Sequence, residues 1–214
     1  MEKTTFLDAF STQGKVMTFL PQQIVHLDDI PSYNIYLILE GKVKQIFYDE
    51  HGVEKTILIL KKGEIFGEVT CFQQDKNMVI TKAAELCKLA VIDANVFQKI
   101  LEDNPSLYKS LVMLLTKKLR ILMWQVHDLS FQGVHQRLVS LIIRLVNQHG
   151  VLIDENSAII DLVVTHQDLA NMVGAYRSTV TKVIGRIQAA GLIEISNRKI
   201  KVLNITDLQK MKNG

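Results

Sequence analysis

Residues 165–193 read THQDLANMVGAYRSTVTKVIGRIQAAGLI, a spacing that predicts two short helices joined by a tight turn. Thr165 is placed to cap the first helix, with Leu169, Met172 and Val173 facing inward and small Ala170 where a second helix crosses closely. Gly174 supplies the turn, because a tight link between helices usually needs a left-handed backbone that glycine adopts cheaply. Val180, Val183, Ile184 and Ile187 then recur at three and four residues and form the buried stripe of the second helix. That stripe leaves Arg177, Ser178, Thr179, Thr181, Lys182 and Arg186 outward. Cations and hydroxyls on one face suit a DNA major groove, which is edged by phosphates and carries base acceptors. Arg177, near the helix start, is the candidate for a bidentate contact to guanine. An ordinary helical pair with a solvated polar face shares this pattern, and the next residues weigh between the two. Ala190-Gly191-Leu192 closes the helix, and Ile193-Glu194-Ile195 and Ile200-Lys201-Val202 alternate around Ser196-Asn197-Arg198-Lys199. This is a hairpin with a basic tip. Arg198, Lys199 and Lys201 beside a recognition helix read as a phosphate-contacting wing, and the motif as a winged helix-turn-helix.

The chain has 214 residues, 48% of them hydrophobic, and a net charge of +3. That length permits one large domain or two small ones with real cores. So small a net charge requires DNA affinity to come from a local basic surface, which the C-terminal third supplies. No apolar run of membrane-spanning length occurs, and MEKTTFLDAFSTQGK at the N-terminus is not a secretory signal, so a cytoplasmic protein without membrane partners is expected, or a stromal one if plastid-encoded. Cys71 and Cys87 lack further ligands at metal-binding spacing and are expected as buried or half-buried strand residues. The six histidines are scattered and expected at surfaces or interfaces, with His166 near a helix start a candidate phosphate contact. No nucleophile-base pair and no P-loop lysine occurs, so no catalytic residue and no metal site are assigned.

Between Val16 and Ile92, short runs rich in branched and aromatic residues (35–39, 43–48, 56–60, 86–92) predict strands. Gly41, Gly52 and Gly63 recur at an interval of eleven, which indicates a small antiparallel roll. Asn104-Pro105 then starts a helix running to about Phe131, roughly 40 Å long. Its Tyr108, Val112, Leu115, Leu119, Leu122, Val126 and Leu129 form a heptad seam suited to a second copy, and Leu107, Leu111, Leu114 and Ile121 a stripe suited to the roll. A merely buried helix is the plainer reading; a dimerisation helix accounts for both faces. Gln132-Gly133 marks a hinge, residues 136–149 an amphipathic helix, and residues 159–164 a strand entering the helix-turn-helix. The expected class is α+β: a double-stranded antiparallel β-roll of the effector type over residues 1–103, a long dimerisation helix over 104–131, and a winged helix-turn-helix over 132–214.

With Leu39-Glu40-Gly41, Lys62-Gly63-Glu64-Ile65-Phe66-Gly67-Glu68 and the helix-turn-helix in this order, the whole chain resembles the cyclic-AMP receptor protein and FNR superfamily of transcription factors. Its DNA-binding half is similar to the global nitrogen regulators of cyanobacteria and red-algal plastids, in Arg137-Leu138-Val139-Ser140, Ile160-Asp161-Leu162, Thr165-His166-Gln167 and Arg177 followed by Thr179-Val180-Thr181. The resemblance implies a homodimer activating from palindromic elements in double-stranded DNA in contact with RNA polymerase, and it adds Thr165, His166 and Gln167 to the DNA-facing set. Lys182 stands where the family has a second arginine, which implies looser specificity at that base, and Ser178 where the receptor-protein branch has glutamate, which implies a different recognition sequence.

The resemblance also places an effector pocket at Phe66, Gly67, Glu68, Val69, Asn77 and Lys118. Cyclic-nucleotide binders carry an Arg-Ser pair where this chain has Asn77 and Met78, so cyclic AMP is not expected to bind. Nitrogen regulators need arginines at the places of Asn77 and Lys118 and a glutamate at Met123, so 2-oxoglutarate is expected to be weakly held and the effector response altered or lost. A rival reading is a ligand-binding module acting on a protein partner with a vestigial helix-turn-helix. The cationic outer face and basic hairpin speak against it.

Overall fold

A computed structural model describes residues 5–26 and 33–211. The chain divides into two compact units, Met1–Leu122 and Met123–Gly214, and the division falls inside the long helix.

In the first unit, α1 (Phe6–Gln13) is capped by Thr5, whose hydroxyl accepts from the Asp8 amide while the Asp8 carboxylate accepts from the Thr5 amide. The strands β1 (Lys15–Phe19), β2 (Ile24–His26), β3 (Asn34–Glu40), β4 (Lys42–Tyr48), β5 (Glu54–Lys61) and β6 (Ile65–Phe66) come next, then α2 (Glu68–Gln73), β7 (Ile80–Ala83), β8 (Cys87–Asp93), α3 (Ala94–Asp103) and α4 (Ser106–Phe131). They form two antiparallel sheets, one ordered β1, β8, β3, β6 and the other β2, β7, β4, β5. The glycines at 41, 52 and 63 all have φ between +76° and +85°, as chain-reversing positions require. At Gly41 the constraint is also spatial, since a Cβ would lie 2.3 Å from the Leu86 carbonyl oxygen.

The run Ile35-Tyr36-Leu37-Ile38 is continuously apolar because both faces of β3 are covered. Ile35 and Leu37 join Phe6, Phe10, Phe97, Leu107 and Leu111 in a layer shared with the helices. Tyr36 and Ile38 join Val43, Leu58, Leu60, Phe66, Ala83 and Leu89 between the two sheets. The expected inner stripe of α4 holds: Leu107 and Leu111 are buried, Leu114 packs on the helical layer and Ile121 on the inter-sheet layer. The outer seam is narrower than its heptad, because Leu115 and Leu122 are half-buried against the same layers. Tyr108, Val112, Leu119, Val126 and Leu129 stay exposed.

Three expectations change. Cys71 is buried on α2 and not on a strand; only Cys87 is a strand residue, and both thiols are free. His26 and His149 are not surface residues but 5% and 7% exposed. His26 is brought inside by strand pairing, which sequence spacing does not reveal, whereas His149 falls four residues after buried Leu145 on an inner helix face that also holds Ser140 and Arg144. The strand expected over 159–164 ends at Ile160, where Asp161 turns its amide to the His149 carbonyl and Val164 its amide to Arg198. Helices α1, α2 and α3 and strands β1 and β2 are not resolved by periodicity.

The second unit holds α5 (Val134–His149), β9 (Gly150–Leu152), β10 (Ala158–Ile160), α6 (His166–Val173), α7 (Arg177–Ala189), β11 (Ile193–Ser196), β12 (Lys199–Val202) and α8 (Ile205–Met211). The wing hairpin is the end of a four-stranded sheet ordered β11, β12, β10, β9. Leu138, Leu141, Ile142 and Leu145 bury one face of α5. The junction after α4 is tied down: Arg144 of α5 donates to the carboxylate of Asp128, and both are buried. Arg137 donates to the Gln132 carbonyl at 3.1 Å, and Ser140 to the Gln132 side chain at 3.2 Å.

Candidate nucleic-acid interface

The second helix of the helix-turn-helix is α7, and its orientation is set by what it buries. Val180, Val183, Ile184 and Ile187 are all buried, so Arg177, Ser178, Thr181, Lys182 and Arg186 emerge exposed, with Thr179 half-buried. Gly174 closes α6 at φ +65°, the left-handed turn that the spacing predicts. The Gly174 carbonyl accepts from Arg137 at 3.2 Å, so the turn is held from α5. His166 meets Thr181 at 2.9 Å between Nδ1 and Oγ1. This bond braces α6 on the outer face of α7 and gives His166 a partner within the protein. Thr165 is the N-cap of α6, in a reciprocal pair with Asp168. Gln167 stays exposed and donates to Asn171.

Tyr176, the N-cap of α7, makes no side-chain cap bond and is 83% exposed. Sequence spacing passes over it because it belongs to neither stripe. With the open amides of the first turn and Arg177, it forms a polar and aromatic tip at the positive end of the helix.

Behind α7, Ser196 and Lys199 pair across a two-residue turn in which Asn197 and Arg198 have φ +51° and +60°. Two left-handed central residues make the type I′ hairpin turn, whose twist matches the strands. The Arg198 carbonyl accepts from the Val164 amide at 2.8 Å, which anchors the tip while its side chain stays exposed. Lys199 is half-buried and bonds Asp161 at 2.9 Å. Charge is divided unevenly: residues 123–214 carry ten lysines and arginines against seven acids, and residues 1–122 fifteen of each. The whole excess of +3 therefore sits in the unit that holds α7 and the wing.

The expected effector residues separate into two groups. Phe66, Gly67, Glu68 and Lys118 come together. Phe66 is buried and stacked on Tyr36 at 4.6 Å, and Gly67 turns at φ +94° where a Cβ would lie 2.2 Å from the Asn34 carbonyl oxygen. Lys118 reaches in from α4 and bonds Glu68 at 2.7 Å. Val69 instead is 52% exposed, and the Asn77 side chain donates to the Val79 carbonyl of its own loop.

A polar row on the inter-sheet face has no signal in the sequence spacing. Gln45, Thr81 and His26 are paired in register across β4, β7 and β2, with apolar Leu58 of β5 next to Gln45, beside Val43, Leu60 and Ala83 of the core. Thr81 Oγ1 and His26 Nε2 are buried without a partner. Burial lowers the His26 pKa from 6.5, holding the imidazole neutral. Only the strand register, which includes a bulge, brings these residues together. Among the described residues no cluster of His, Cys, Asp and Glu could hold a metal, and no helix is long and apolar enough to cross a membrane.

Comparison with known proteins gives matching domains in the same order. Residues 17–104 match the cyclic nucleotide-binding domain and residues 136–211 the Crp-like helix-turn-helix domain. The chain is 29% identical over 191 residues to the global nitrogen regulator of Nostoc sp., covering 87% of this chain and 84% of that protein. It is 28% identical over 204 residues to the anaerobic regulatory protein of Bacillus subtilis, covering 94% and 83%. Among solved structures, a CRP/FNR-family transcriptional regulator from Thermus thermophilus superposes with a TM-score of 0.75 at 26% identity, over 94% of this chain and 99% of that one.

Proposed function

Because the chain belongs to the Crp/FNR family of DNA-binding transcription regulators, we propose that it works as a homodimer on palindromic promoter elements, in the manner of the nitrogen regulators it resembles. The observation that carries this reading is the face of α7. Its exposed residues are cations and hydroxyls on the same unit as a basic hairpin tip, the combination that enters a major groove and grips its phosphate edges. Arg177 reads a base, Ser178, Thr179, Thr181, Lys182 and Arg186 supply further groove contacts, and Arg198 and Lys199 hold the backbone.

The outward seam of α4 supports pairing. Five large apolar side chains lie exposed along it, and a second copy covers them isologously. A two-fold pair reads inverted half-sites about one helical turn apart, and activation comes from contact with RNA polymerase beside the site. The effector response is altered or lost: Asn77 and Met78 are both uncharged, the Asn77 amide donates within its own loop and Met78 is exposed, so neither offers charge to an anion. Selection of bound duplexes from a random library by the full chain tests the reading. An inverted repeat with half-sites about 10 base pairs apart, centre to centre, is expected; recovery of single half-sites or of unrelated sequences overturns it.

A further inference from the structure

The segment Glu64–Glu68 is gripped from α4 by two successive lysines. Lys117 pairs with Glu64 at 2.5 Å, and the other oxygen of Glu64 accepts from the Lys61 amide at 2.9 Å, closing the turn before β6. Lys118, 8% exposed, donates to the Ile65 carbonyl at 2.9 Å and to Glu68 Oε1 at 2.7 Å. On the opposite side the segment is pressed against β3, where Gly67 meets Asn34. The β6 strand and the start of α2 are thus held between the sheet and the long helix, and two of the holding groups are cations of the chain itself.

The buried charges decide what this grip does. Glu68 is 5% exposed, and its second oxygen is buried with no partner. Lys118 alone therefore balances the carboxylate, and breaking such a buried pair leaves an uncompensated charge. An anionic effector entering here needs a cation, and the one at hand is already engaged twice.

We infer that Lys117 and Lys118 are a resident counter-charge: by clasping Glu64, Ile65 and Glu68 to α4 they hold the roll and the head of the long helix in one arrangement without an anionic effector. The inference rests on the DNA-binding reading above. It makes the DNA-reading form constitutive and assigns Lys118 as a positioning residue, remote from the nucleic acid.

The test is a binding titration of the full chain on a duplex that the wild type selects, with melting by circular dichroism as the folding control. Wild-type affinity is expected to change by less than about twofold when 2-oxoglutarate or cyclic AMP is added at millimolar concentration. Lys118→Met is expected to weaken binding by about tenfold or more. Exchanging the charges, Glu68→Lys with Lys118→Glu, restores it to within about threefold if the pair itself is what acts. Wild-type protein that needs either effector, or Lys118→Met that binds like wild type, overturns the clasp and leaves the DNA-binding reading standing. Wild-type protein that selects no duplex overturns that reading instead. Hydrogen exchange on the wild type keeps the clasp testable if the variants unfold. Amides of residues 65–71 should already be protected, and protection that rises only on adding an effector refutes it.

Discussion

Arg177 shows how much a single position can say through the spacing of its neighbours alone. Its outward direction is set by the buried period of Val180, Val183, Ile184 and Ile187, and it lies exposed at the start of α7. Arg177→Ala is expected to cost about 1 to 3 kcal/mol of specific binding, read as lost discrimination between the selected duplex and a scrambled one; unchanged discrimination counts against its base-reading role. Other residues are illegible for a physical reason. Lys118 and Glu68 are fifty positions apart, and neither a period nor a motif joins a lysine on one helix to a glutamate at the head of another. His26 looks like any isolated histidine until strand register sets it inside the roll. Because burial lowers its pKa from 6.5 in the folded chain, the unfolded chain takes up the proton first as pH falls. Stability should therefore fall as pH drops below about 6.5 and be regained as pH rises through that window. Denaturant midpoints across that range should follow this course, and His26→Leu should flatten it; a slope of the opposite sign would contradict the burial of a neutral imidazole.

Among the elements, α4 is the most legible and the short pieces the least. Its two stripes repeat over many turns, so the inner one is assignable to the roll from spacing. Leu115 and Leu122 nevertheless turn partly inward, because a straight helix drifts from a strict heptad and its register is set by what it packs against. The seam that remains is concentrated at Val112, Leu119 and Val126, more than half exposed in each case. Leu119→Lys should therefore convert a dimer to a monomer with little loss of fold, seen as a halved mass in light scattering, since it adds charge to an apolar contact and leaves the core untouched. A mass that stays dimeric would locate pairing elsewhere. The strand expected over 159–164 is too long because an apolar run does not distinguish strand from buried loop. Leu162 and Val164 are buried while the backbone turns away to bond His149 and Arg198. The short helices α2 and α3 escape because six and ten residues give a period little room to show.

For the whole molecule, order is readable where detail is not. Glycine-punctuated strands, a long two-faced helix and a helix-turn-helix with a basic hairpin define an architecture because each leaves a hydrophobic face that the others of its unit must cover. The charge distribution belongs to the same scale: the unit of residues 1–122 is balanced, and all of the excess lies with the helix-turn-helix unit. The net charge of +3 does not reveal this until the chain is divided. Whether the roll answers to an effector is the least readable property, since it depends on which buried atoms already have partners, and that exists only in three dimensions. The seam of α4 has a last consequence, for dosage. If a site must be read by two copies, it is occupied in proportion to the square of the total chain concentration while dimers are scarce, and in simple proportion once they predominate. If the clasp makes each chain competent without a metabolite, the amount of protein made becomes the signal. On a dimer paired through α4, the proportional response of the promoter is then steepest where synthesis is lowest, with the crossover set by how firmly Val112, Leu119 and Val126 hold their counterparts.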